Sequence, residues 1–315
     1  MKTAVILLNL GGPDTLSAVR PFLYNLFSDR DIIPLGPPFL QKPIAWLISV
    51  FRAPKTKSAY RLIGGGSPIY EITKNQARLL EQALSESREI PVYVGMRYWH
   101  PFIEEALSEA KTEGIERIIG LSLYPHYSRA TTGSTKKVFE EIAEKLGLQT
   151  DFIDSWYDHP LYIEALVDLI MKNLSWADVL LFSAHSLPES FIREGDPYLD
   201  EILGTIGAIM KRLKSTVTPP PYMVSFQSRS GPVKWLEPST DDAVVELSKK
   251  GAKNILVVPI SFVSDHIETL YEIDILYKEI AKKEGINLQR IDSLNTHPLF
   301  IKALEDLVRR RLQPL

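Results

Sequence analysis

Cysteine is absent from all 315 residues. That removes disulfides, thiolate nucleophiles, thiolate zinc sites and cysteine-held iron–sulfur clusters. Long apolar runs are missing as well: none approaches the ~18 residues of a membrane-spanning helix. Neither sign of charge dominates. With 36 Lys+Arg, 39 Asp+Glu and a net charge of -3, nothing draws the whole chain to nucleic acid or anionic lipid. There is no phosphate-cradling loop, because Gly64-Gly65-Gly66 has neither dinucleotide nor Walker spacing. Leu181-Phe-Ser-Ala-His185 is not a nucleophile elbow. The apolar opening has a single Lys before it and no small-residue cleavage site after it. It reads as a buried first strand rather than a secretion signal, and a cytoplasmic protein is expected.

What is present is an alternation of short β-rich runs with amphipathic segments. Strands are expected at Ala4–Leu10, Val92–Met96, Arg117–Leu123, Gln149–Ile153, Val179–Ala184, Tyr222–Phe226, Asn254–Val263 and Leu288–Ile291. Val5–Leu8 and Ile255–Val258 are continuously apolar, as strands covered on both faces should be. Helices are expected at Asn75–Leu84, Phe102–Lys111, Lys136–Lys145, Tyr162–Lys172, Asp241–Lys249, Glu268–Lys282 and Phe300–Leu312. Gly114, Gly147, Gly251 and Gly285 sit where such helices should stop. The pattern predicts an α/β fold with mainly parallel sheets and helices on both faces.

The halves echo each other. His159–Ile170 is repeated as His297–Val308, and Val5–Leu8 as Val179–Phe182. The second spacing is the longer, so the first half carries extra chain. Ile33–Ser67 is the candidate, with five prolines and apolar residues such as Phe39, Trp46 and Phe51. It is expected to be an apolar insertion at the mouth of a cleft between two similar lobes, 1–158 and 159–315, with terminal helices able to cross between them. Ligands of open α/β sheets bind beyond the carboxyl ends of strands.

Three strand ends offer chemistry. His185, directly after Val179–Ala184, can take a proton or bind a metal near neutral pH. Asp265, His266, Glu268 and Glu272 gather where a strand gives way to a helix, with Glu268 and Glu272 on one helix face. Acids in a first turn also suit the helix dipole. A His with carboxylates and no thiols fits divalent iron better than structural zinc. Tyr124–Ser134 offers hydroxyls and backbone N–H groups that could hold an anion, or could equally cap a helix. His100, His159 and His297 each precede Pro and a helix, and mark helix starts rather than catalysis.

These segments resemble the ferrochelatases, and the likeness spans essentially the whole chain. Ser183-Ala-His-Ser-Leu-Pro188 followed by Gly195-Asp-Pro-Tyr198 matches the family signature around its active-site His. Ser264–Asp274 matches the segment with its catalytic Glu. Asn9–Pro13, Ile63–Pro68, Met96–Tyr98, Tyr124–Tyr127, Thr131–Ser134 and Phe226–Thr240 match too, in order. The resemblance implies two Rossmann-like lobes, each a four-stranded parallel sheet, around a porphyrin cleft, and insertion of Fe²⁺ into protoporphyrin IX. It implies His185 and Glu268 as the catalytic and metal-site pair, with Asp265, His266 and Glu272 behind them. Arg52, Tyr60, Ser67, Arg97, Tyr98 and Tyr124 correspond to porphyrin or cleft contacts. Ile33–Phe51 corresponds to a hydrophobic lip that admits a membrane-soluble substrate, which raises a third reading, peripheral contact with the inner face of a membrane.

Two departures stand out. Members with an iron–sulfur cluster hold it with four Cys; this chain has none, and Arg129 stands where one would be, so no cofactor beyond the Fe²⁺ substrate is expected. Some members extend an acidic row one turn past Glu272, where this chain has Leu276. An outward relay would then pass through Asp274 or water. Coproporphyrin-specific relatives tend to carry Ala-Tyr-Gly-Thr-Pro in the first loop; Leu10 in Asn9-Leu-Gly-Gly-Pro13 favours protoporphyrin. A non-catalytic porphyrin or metal carrier is the rival of another class.

Overall fold

A computed structural model describes residues 1–85, 89–229, 231 and 233–312. Ser230 and Pro232 of the Phe226–Thr240 match, and residues 313–315 of the expected second lobe, lie outside these. The chain forms two compact units, Met1–Trp156 with Ile301–Leu315, and Tyr157–Phe300. The expected division after residue 158 falls just beyond this break. The end of the chain, for which crossing between lobes was allowed, groups with the first unit: Arg309 Nη2 donates to Ala83 O at 2.9 Å and Arg117 Nη2 to Arg311 O at 2.9 Å.

The first unit holds β1 (Thr3–Asn9), β2 (Val92–Met96), β3 (Arg117–Ser122) and β4 (Gln149–Ile153), all parallel, in the order β2-β1-β3-β4. The second repeats this with β5 (Val179–His185), β6 (Tyr222–Gln227), β7 (Asn254–Pro259) and β8 (Asn287–Arg290), in the order β6-β5-β7-β8. All seven residues of β1 are buried, as a central parallel strand flanked by helices requires. Ile6 and Leu8 pack with Ile103, Leu107, Phe139 and Phe152 in one core; Leu181, Val244, Ile255, Val257 and Ile273 form the other.

Several elements differ from expectation. β7 stops at Pro259, and Ile260–Val263 turn off as an apolar loop. His185 is the last residue of β5 rather than the first beyond it. The proline-rich insertion contains a 22-residue helix, Gln41–Leu62, with Pro54 inside it. Its start is locked by the buried Gln41, whose Nε2 donates to Phe27 O at 2.8 Å and Ile33 O at 2.9 Å. Gln41 Oε1 accepts from Leu35 N at 2.9 Å. The helix expected over Glu268–Lys282 is wound as a π-helix across Glu268–Tyr277 before an α-helix at Lys278–Lys283. A shorter π-helix, Arg129–Gly133, occupies the corresponding place after β3.

Gly66 shows why that loop is glycine-rich: a Cβ there would lie 2.2 Å from Asp14 O. Ser67 N donates to Pro13 O at 2.7 Å, so the Gly64–Ser67 loop lies directly on the loop that follows β1.

Candidate active site

β5 is buried from Val179 to Ala184 and emerges at His185, whose side chain is 33% exposed. The backbone of His185 is clamped independently of its ring. His185 N donates to Ser261 Oγ at 2.9 Å, and Tyr198 OH donates to His185 O at 2.9 Å while meeting Ser261 Oγ at 2.6 Å. Ser261 comes from the loop after β7, and Tyr198 opens the helix Tyr198–Lys214. Burial pushes the Tyr198 phenol up, so it stays a neutral donor.

The ring Nδ1 lies 2.9 Å from Glu268 Oε2. That carboxylate also receives Gln227 Nε2 at 3.2 Å and Ser228 Oγ at 2.7 Å. Parallel pairing of His185 with Gln227 brings the amide alongside. A buried polar chain orients it: Ser183 Oγ donates to Gln227 Oε1 at 2.6 Å and meets Thr240 Oγ1 at 2.9 Å. Burial alone would raise Glu268, but the His185 charge and hydrogen bond, with help from His266 and Ser228, hold it well below the usual carboxylate range. Desolvation presses His185 the other way, and the Glu268 charge and hydrogen bond outweigh it, so its pKa sits above the ordinary value.

His266 plays a different part. It is buried, its ring packs on Phe262 at 4.2 Å, and Nδ1 donates to Ser264 O at 3.0 Å. That fixes the tautomer. Nε2 then presents a lone pair with no hydrogen-bond partner among the described residues, 3.9 Å from Glu268 Oε1. Burial lowers its pKa. Asp265, expected behind the pair, is taken up elsewhere: Arg290 at 3.1 Å, Ser293 at 2.7 Å, Asn295 at 2.8 Å and Thr269 at 3.0 Å. It ties the start of the π-helix to the loop after β8. Asp274 is likewise held by Arg290, at 2.8 Å. Glu272, one turn on from Glu268, meets Ser228 Oγ at 2.6 Å. Burial and the Glu268 charge push it up to about 7.

The other expected residues belong to the first unit. Arg52 is exposed on the helix Gln41–Leu62, its guanidinium 5.2 Å from the Phe27 ring centre. Tyr60 and Tyr124 are buried, and Ser67 is half-buried. Arg97 and Tyr98 converge on Asp29 Oδ2, each at 2.7 Å, joined by Ser134 Oγ at 2.7 Å. The hydroxyls of Tyr124–Ser134 are engaged inside the fold. Ser128 caps Ala130 N at 3.3 Å, and Thr132 meets Ser122 at 3.1 Å. Of these hydroxyls, that of Ser128 acts as a helix cap. His159 and His297 stand at helix starts, as expected.

Residue-by-residue reading missed Ser228, Gln227 and Ser261 as participants. The one local signal is conformational: Ser228 has φ 66, a left-handed geometry uncommon for a non-glycine residue and concentrated at functional sites.

The chain matches the ferrochelatase family over residues 2–312. It is 50% identical to a ferrochelatase of Picosynechococcus sp., over 99% of this chain and 83% of that one. It is 53% identical to a ferrochelatase of Geotalea uraniireducens, over 98% of both. Among solved structures it is similar in fold to SirB from Bacillus subtilis with Fe3+, with a TM-score of 0.58 at 12% identity over 98% of this chain and 95% of that one. CbiX, described as the terminal enzyme for biosynthesis of sirohaem in denitrifying bacteria, gives 0.51 at 11% identity over 98% and 100%. Identity of about one half, sustained from end to end, places the chain in the ferrochelatase family.

Proposed function

We propose that the chain inserts Fe²⁺ into protoporphyrin IX, with His185 taking a pyrrole proton and Glu268 holding the charge that results. The observation that carries this is the 2.9 Å contact between His185 Nδ1 and a Glu268 carboxylate fixed by Gln227 and Ser228. Metal insertion requires that two pyrrole protons leave. With Nδ1 turned to Glu268, Nε2 is the nitrogen that meets the ring, and proton uptake there makes an imidazolium whose charge Glu268 already faces. Among the described residues no three His, Asp or Glu side chains gather into a metal cage. Two protein donors, His185 and Glu268, suit a metal that is handed on rather than kept. The chain has no Cys to hold an iron–sulfur cluster.

In this reading the exposed Arg52 and the half-buried Ser67 are the first unit's polar candidates for propionate contact. Arg97 and Tyr98, bonded to Asp29, contribute a fixed shape. Steady-state metallation of protoporphyrin IX and of coproporphyrin, followed in the porphyrin absorption bands, tests the substrate. Protoporphyrin should turn over faster; a preference for coproporphyrin overturns that assignment, and single-equivalent uptake without turnover points to a carrier.

The lip supports peripheral membrane contact. Phe39 is 77%, Trp46 50% and Phe51 79% exposed. Several large apolar side chains exposed along one segment suit an interaction surface. No described helix is long and apolar enough to cross a membrane. The chain should float with liposomes, and Trp46→Glu with Phe51→Glu should leave it in the soluble fraction. Equal flotation of both forms overturns the contact.

A further inference from the structure

Arg290 ends β8 with its side chain only 8% exposed, and all three of its side-chain nitrogens are engaged. Nε and Nη2 grip Asp274 as a fork, at 3.1 Å to Oδ1 and 2.8 Å to Oδ2. Nη1 reaches Asp265 Oδ1 at 3.1 Å, Ile291 O at 3.1 Å and Ser293 Oγ at 3.2 Å. One cation therefore holds a carboxylate on each side of Glu268: Asp265 just before the π-helix and Asp274 inside it.

This double grip suits one winding of the chain. Nine residues separate Asp265 from Asp274, about two and a half turns of an α-helix, which would set them on opposite sides. The wider turn of i→i+5 bonding brings Asp274 back round toward Asp265. Both can then meet one planar guanidinium, whose donors are fixed in a fork. A π-helix is usually a single turn inside an α-helix, whereas this one runs for ten residues, so contacts outside it must favour it. The leading end has further ties. Asp265 N donates to Asn295 Oδ1 at 2.9 Å, Asn295 Nδ2 to Asp265 Oδ2 at 2.8 Å, and Thr269 Oγ1, next to Glu268, to Asp265 Oδ1 at 3.0 Å.

Arg290 is also fixed to the sheet that presents His185. It pairs with Val257 of β7, and Val257 pairs with Leu181 of β5. His185 lies four residues farther along β5. We propose that Arg290 is a positioning residue: it holds Asp265–Asp274 in its π winding and so sets the Glu268 carboxylate against His185. This rests on the role given above to that pair. Lysine cannot replace it, because a single ammonium lacks the fork that serves both carboxylates.

Steady-state metallation of protoporphyrin IX by Asp274→Ala, Arg290→Lys and the double variant, in wild-type and Glu268→Gln backgrounds, tests this. Asp274 is 37% exposed and Asp265 keeps its partners when it is cut back, so Asp274→Ala should fold. Asp274→Ala should lower kcat by about tenfold and Arg290→Lys by about 10²-fold, the cost of a ~1 Å misplacement, at unchanged porphyrin KM. The double variant should lose no more than Arg290→Lys alone, because both changes break one contact. In Glu268→Gln, where the carboxylate to be positioned is gone, Asp274→Ala should change kcat by less than about twofold. Wild-type kcat in Asp274→Ala, a loss carried by KM, or an undiminished loss in the Glu268→Gln background overturns the clamp while the role of Glu268 stands. Full turnover by Glu268→Gln alone overturns that role, and the clamp with it.

Discussion

Replacing His185 with alanine should yield a chain that still binds porphyrin and no longer metallates it. The loss should be ~10²–10⁴-fold in kcat, the range over which a positioned general base acts. The fold should tolerate the change. The strand end is held by Ser261 and Tyr198 through the backbone of residue 185, and those bonds remain when the ring is gone. Porphyrin binding, followed by fluorescence quenching, should therefore persist while the absorption bands of the metallated ring fail to develop. Near-wild-type metallation would remove His185 from the chemistry and leave it as a strand-end residue.

Glu268→Gln should cost a similar factor and carry a second signature. In the wild type the raised pKa of His185 places the acid limb of the rate profile above its ordinary 6.5, because only the neutral ring accepts a proton. Without the Glu268 charge, desolvation governs His185 and the limb moves to lower pH. Stability should respond in a definite window. The raised His185 stabilises the fold below about 6.5 and loses that contribution as pH climbs through its folded value. The depressed Glu268 contributes above about 4.5 and loses its share as pH falls through its folded value. The difference in Tm between wild type and Glu268→Gln should be widest between those limits. A first-turn acid serving the helix dipole alone, worth about 0.3–1 kcal/mol, would leave kcat and its pH profile untouched.

The strands were legible because buried parallel strands need continuous apolar runs, and Val5–Leu8 and Ile255–Val258 have them. The same rule carried β7 too far: Ile260 and Val263 are apolar and buried, but they serve a loop. The helix Gln41–Leu62 was hidden by Pro43 and Pro54 and by apolar residues that face outward, so no amphipathic period marks it. His185 and Glu268 were legible from strand ends and motifs. Gln227 became a partner only through the pairing of β5 with β6, a contact between distant residues. Ser228 depends on a backbone angle and two carboxylates from the π-helix Glu268–Tyr277, none of which a short motif encodes. Asp265 is bound to Arg290 and Asn295 and, through Thr269, to the backbone of His266, a linkage that its place in the sequence does not reveal.

The return of the last helical residues to the first unit sets an order of synthesis. Ala303, Leu304, Leu307 and Val308 are buried, and Ile301–Leu315 completes a unit whose other part is made first. Domains tend to fold as they leave the ribosome, N-terminal first. Here Ile301–Leu315 joins the early unit only after Tyr157–Phe300 has been translated. The nascent chain therefore carries the first unit without its last segment for the whole of that interval. Its yield in a cell should depend on chaperone capacity more than the stability of the finished protein would indicate.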